Sequence, residues 1–168
     1  LFAAAETGDW WRFDADNTDG NVDNDPISTV TGIVNGLVMG VAGTSPTLQD
    51  ISGRWAGQVT GTGGSRFTYT FGSTLTQPGT IIVCLGDSST ATHVIATGSS
   101  AAVRWQISND SSGNVVMFAG STLDTTLNEP PADPAKVFSA QFNGASSVFR
   151  SNGTQTVTGS AGTQSTNQ

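Results

Sequence analysis

The sequence predicts an all-β chain, a two-sheet antiparallel sandwich of jelly-roll type, and three observations carry that prediction. The first is Asn152-Gly153, set between the strand-like runs Ser147–Ser151 and Thr154–Thr158. A type I′ hairpin turn needs positive φ at both central residues, which this dipeptide tolerates. The second is alternation with period two. In Arg66–Phe71 the side chains of Phe67, Tyr69 and Phe71 share one face and Thr68 and Thr70 the other, and Val103, Trp105 and Ile107 repeat the pattern. The third is composition: Gly, Ser, Thr and Asn dominate, and only 11% of residues are charged, against roughly 25% in ordinary soluble domains. Helix-forming segments are therefore scarce, while Thr and Val suit a pleated, half-buried surface. Eight Phe and four Trp recur inside alternating runs, which is the mark of a chain that buries a core rather than one that stays disordered.

Strands are expected in series. Trp10–Asp14, Ile27–Val34, Leu37–Val41 and Pro46–Ile51 come first, followed by Arg66–Phe71, Thr80–Leu85, His93–Thr97, Ala102–Ser108 and Asn114–Phe118. Lys136–Phe142, which sets Val137 against Phe138, Ala140 and Phe142, precedes the two strands of the Asn152-Gly153 hairpin, and Asn143-Gly144 marks a weaker turn between them. Turn chemistry fills the linkers Gly61–Ser65, Ser108–Asn114 and the proline-rich Asn128–Pro134. No fixed-period repeat suggests a solenoid or propeller. At 168 residues the chain is expected to form one domain, residues 1–168, with a core that needs neither metal nor disulfide.

The formal net charge is −7, and six basic residues spread singly cannot neutralise a row of phosphates, so no nucleic-acid partner is expected. No apolar stretch approaches the ~20 residues that span a bilayer. The longest, Gly79–Gly86, is strand-sized and carries the lone Cys84, expected to be a passive core thiol. The opening LFAAAE lacks a basic leader, and the ending SAGTQSTNQ lacks a closing hydrophobic strand. Both ends read as cuts in a longer polypeptide.

The runs Val115–Ser121 (VVMFAGS), Val137–Gly144 (VFSAQFNG) and Ser151–Thr154 (SNGT) resemble concanavalin A-like, LamG-type jelly rolls. There, a strand ending in F-A-G is followed by F-N-G and a V-N-G hairpin. That family adds an L-T-I-G strand and one further hairpin, so the resemblance implies a sheet edge completed by an added tail or by a neighbouring chain. Leu1–Asp16, with Gly36–Met39 and Ser52–Arg54, resembles the opening of tailed-phage and prophage structural proteins. The resemblance implies a non-enzymatic virion structural, decoration or tail-associated module on the virion surface. Such a module packs against other capsid or tail subunits, forms a homo-oligomer and touches host glycans. The alternative is a secreted or cell-surface carbohydrate-binding module, calcium-dependent or not; a third reading is an active glycosidase or lyase.

Catalysis can be tested on the residues. A retaining glucanase of this fold places carboxylates every other residue along one strand, about 5–5.5 Å apart, as acid and nucleophile. The only glutamates here are Glu6 and Glu129, and neither has an aspartate two residues on. Asp14 and Asp16 would share a strand face, but they lead into a turn-rich stretch and are read as solvated or capping. Tyr69 and His93, which a lyase would need together, stand in separate predicted strands, and His93 is read as a strand surface or core-edge residue. No G-x-S-x-G elbow precedes a helix. Gly61–Ser65 lacks the Lys of a phosphate loop, and one Cys with one His cannot close a zinc site. No catalytic residue, ligand-binding residue or metal ligand is assigned.

The segment Asp14–Asp25 holds five aspartates and three asparagines, hard oxygens of the kind calcium takes. Its spacing misses the EF-hand, because Gly20 as position six puts Ala15 at one and Pro26 at twelve. It is read as a solvated acidic loop, with calcium as the alternative. Trp10 and Trp11, being adjacent, face opposite ways in a strand: both are buried or partly covered on the two sides of the sandwich, or one anchors the core and the other faces a rim, a neighbour or a sugar ring. Trp55 and Trp105 are read as core or interface residues.

Overall fold

Strand-forming runs that alternate apolar and polar residues find their partners in several antiparallel sheets, and the fold is all-β. The computed structural model describes residues 11–14, 16–19, 22–50, 53, 55–58, 66–71, 73–85, 94–100, 102–110, 114–128 and 136–166. Two compact units divide the chain, residues 1–69 and 70–168.

In the first unit, β1 (Thr29–Thr31), β2 (Val38–Ala42) and β5 (Arg66–Thr68) form a sheet in the order β1-β2-β5. Strands β3 (Thr47–Asp50) and β4 (Trp55–Gln58) form a two-stranded ribbon. Ile27, Val30 and Leu48 are fully buried and packed by Trp11, Phe13, Met39 and Phe67. The Phe13 and Phe67 rings lie 5.1 Å apart. Gly57 in β4 leaves room for Phe13, since a Cβ there would stand 2.6 Å from the ring.

The second unit has two four-stranded sheets. One runs β10 (Thr122–Asn128), β9 (Asn114–Phe118), β8 (Val103–Asn109), β7 (Val94–Ser100). The other runs β13 (Thr154–Gly159), β12 (Ser147–Ser151), β11 (Lys136–Phe142), β6 (Gly79–Leu85). Their inner faces share one core, in which Trp105, Ile107, Val115 and Met117 meet Phe138, Ala140, Phe142 and Phe149. This is a sandwich-like packing of two antiparallel layers. Trp105 stacks on Phe142 at 5.3 Å, and Gly79 lies under the Trp105 ring, where any Cβ would overlap it. Among the described residues no sheet closes into a barrel.

Most expected strands are present with ends shifted by a residue or two. Asn152 (φ 48°) and Gly153 (φ 81°) take the positive backbone angles that the β12–β13 hairpin requires. The expected strand Trp10–Asp14 is reduced, among the described residues, to one bridge between Trp11 and Gly32. Strand β5 stops at Thr68, short of Phe71. Strands β4 and β10 were not expected. Residues 160–166, polar in sequence, are strapped across the second unit by backbone bonds from Ala119 and Ser121 to Ala161 and between Thr166 and Leu75. Gln77 holds the strap from below, donating to the Gly162 and Gln164 carbonyls and accepting from the Gly144 amide.

Candidate functional site

Between β1 and β2 the chain turns through residues 33–36, closed by the Gly32 amide donating to the Leu37 carbonyl at 2.8 Å. Gly36 supplies a φ of 67° for that turn. Trp11 props it, its Nε1 donating to the same carbonyl at 2.9 Å, with its ring 6.1 Å from that of Tyr69. On this prop the hairpin end presents Ile33, 53% exposed, with Val34 and Val38 also exposed. Single exposed aliphatics are ordinary, but three grouped at one hairpin end mark a surface suited to a partner. Trp11 faces the core of this unit, and Trp10 lies outside the described residues.

The acidic segment belongs to the same unit, and four of its five carboxylates, those of Asp14, Asp19, Asp23 and Asp25, accept bonds that hold it. Asp14 accepts from the Asn17 amide at 3.0 Å, from Asn17 Nδ2 at 2.6 Å and from Arg12 Nε. Asp19 accepts from Ser28 Oγ and from the Thr29 amide and hydroxyl, tying the turn to β1. Asp23 accepts from the Asp50 amide at 2.7 Å, and Asp25 from the Val22 amide at 3.2 Å. Burial works to raise the Asp14 pKa, but the bonds from Asn17 and Arg12 outweigh it and hold the carboxyl below its ordinary value. The hydroxyls of Ser28 and Thr29 likewise hold Asp19 low. These aspartates act as struts for turns. Among the described residues no three His, Cys, Asp or Glu side chains converge as a metal site, and no helix is long and apolar enough to cross a membrane.

Asp14 is a turn cap, whereas Asp16 is exposed on the same turn. Glu6, His93, Glu129 and the Gly61–Ser65 linker lie outside the described residues. Trp105 is buried, donating through Nε1 to the Gln164 carbonyl at 2.7 Å; Trp55 is exposed at the start of β4. Cys84 corrects the expectation of a core thiol. It is exposed, because β6 turns Ile81 and Val83 to the core and the pleat sends Ile82 and Cys84 outward. Opposite Cys84 on β11 stands Val137, which is also exposed.

No family model, curated protein or solved structure matches this chain.

Proposed function

We propose that this chain is a concanavalin A-like, LamG-type jelly-roll module without catalytic activity. In this reading it sits on a virion surface as a decoration or tail-associated subunit, packs as an oligomer against capsid or tail proteins, and contacts host glycans. The observation that carries the packing role is the exposed Ile33, Val34 and Val38 group on the Trp11-propped hairpin, an apolar surface of the kind that protein partners cover. The virion setting rests on the likeness of Leu1–Asp16 to phage structural openings, and the jelly roll on the motifs around Phe118, Phe142 and Asn152. Purified particles should contain the chain by mass spectrometry, and replacing Ile33 and Val34 with Asp should remove it from particles while the free chain stays folded. Absence of the natural chain from every particle fraction overturns the virion setting.

A second reading, a secreted or cell-surface carbohydrate-binding module, is favoured by exposed Trp55 on β4, whose ring is the kind on which a sugar stacks. A glycan array should then show binding that Trp55→Ala abolishes. Repeating the array with a chelator separates a calcium-dependent site from a metal-free one.

A further inference from the structure

We propose that β6 is the docking edge for a second copy of this chain, the two β6 strands pairing antiparallel across a two-fold axis at Ile82. This names the contact through which the oligomer of the preceding reading forms, and rests only on that oligomer, not on the virion.

Strand β6 ends its sheet: all seven of its residues pair with β11 on one side, and among the described residues no strand is bonded to the other. Proteins usually guard such an edge with charge, proline or a bulge. Gly79–Leu85 has no charged residue and no proline. Apolar surface is left open on both faces of this edge. Outward, Ile82 is 46% and Val137 44% exposed, beside exposed Cys84; inward, Ile81 and Val83 pack on the core yet remain only partly buried. A lid would cover one face, whereas a strand added alongside covers both and takes up the backbone groups as well. The opposite edge differs, since three of the six residues of β13 are threonines and β10 lies beside it.

The strand itself argues for a second copy. With Ile82 on the axis, Ile82 meets its own counterpart on the outer face and Thr80 meets Cys84 of the second copy. On the core side Ile81 meets Val83. The branched aliphatics Ile81, Ile82 and Val83 therefore oppose one another at the centre of one antiparallel register, with the uncharged Thr80–Cys84 pair on either side, as an isologous contact demands. Charge agrees. Two copies each bearing −7 repel wherever acids cluster, yet the four strands of this sheet carry no Asp or Glu, and their only charges are Lys136 and Arg150. Lys136 stands opposite Leu85 at one end of β6, so the antiparallel two-fold sets the two lysines roughly 20 Å apart along the strands, beyond the ~8–10 Å screening length.

Sedimentation velocity of the full chain at about 100 µM, the range expected for so small an interface, should show twice the monomer mass. Ile82→Lys and, separately, Thr80→Lys should each return it to a monomer; at about 1 µM, where the natural chain is monomeric as well, the urea midpoints should agree, because both side chains are exposed. Thr80→Cys should cross-link to Cys84 of the other copy under mild oxidation, giving a covalent dimer, while the natural chain does not. A monomeric natural chain, or a dimer that survives both lysine variants, overturns the proposal. A dimer that fails to cross-link in Thr80→Cys overturns the Ile82 axis. Particle incorporation is read separately, so loss of one result leaves the other standing.

Discussion

Asp19 shows what one carboxylate contributes to a chain with so few charges. It accepts from two hydroxyls and an amide of residues 28 and 29, and those bonds favour its ionised form, so its pKa is lower folded than unfolded. A depressed carboxyl stabilises above its unfolded pKa, and that contribution is lost as pH falls through the folded value. The first unit should therefore weaken between about pH 5 and pH 3. Asp14, lowered by Asn17 and Arg12 against the pull of burial, acts in the same direction. Asp19→Asn keeps an acceptor but not the charge. It should cost about 1 kcal/mol at neutral pH, a value discounted for solvent screening, and flatten the acid slope. Urea titrations at pH 3, 5 and 7, followed by tryptophan fluorescence, measure both effects. An unaltered slope in Asp19→Asn removes Asp19 from the account.

At the level of elements, the β12–β13 hairpin is closed by its own two turn residues and secured to β11 by one of them. The Asn152 amide donates to the Val137 carbonyl at 2.8 Å, and Asn152 Oδ1 accepts from the Val137 amide at 2.9 Å. Gly153→Ala should cost about 1–2 kcal/mol, the penalty of forcing an L-residue to a left-handed angle. Asn152→Gly keeps the turn and loses one side-chain bond, about 1 kcal/mol. Urea midpoints measure both, and a Gly153→Ala chain as stable as the natural one would mean that the backbone angle is not what matters. This hairpin was legible because its signal lies within a few adjacent residues. Strand β10 was not, because its inward row reads Leu123, Thr125, Leu127, and a threonine in the middle of a core row looks polar. Only the fold shows that Thr125 Oγ1 satisfies itself on the Val115 carbonyl while fully enclosed. Strand β4 was hidden by Gly57, which is unfavourable for a strand on its own and required only because Phe13 lies against it.

Across the whole molecule, each unit has its own core among the described residues: Ile27, Val30 and Leu48 anchor that of residues 1–69, and Trp105, Met117, Phe138, Phe142 and Phe149 that of residues 70–168. A chain of residues 70–168 should therefore unfold cooperatively on its own, reported by Trp105, its single tryptophan. In it Phe149→Ala, at a fully buried position, should cost about 3–5 kcal/mol. A fragment without a cooperative transition would show that the second core cannot stand alone. The all-β class, the antiparallel pairing and the inward rows at Trp105 and Phe138 were determined by the sequence alone, because a period of two residues and an Asn-Gly turn are local properties. Tertiary structure decided which side of β6 faced water, how the polar strap of residues 160–166 was held by Leu75 and Gln77, and that Asp19 served as a strut rather than a free charge. Each of those outcomes depends on groups that are distant in sequence, and no window along the chain contains both partners.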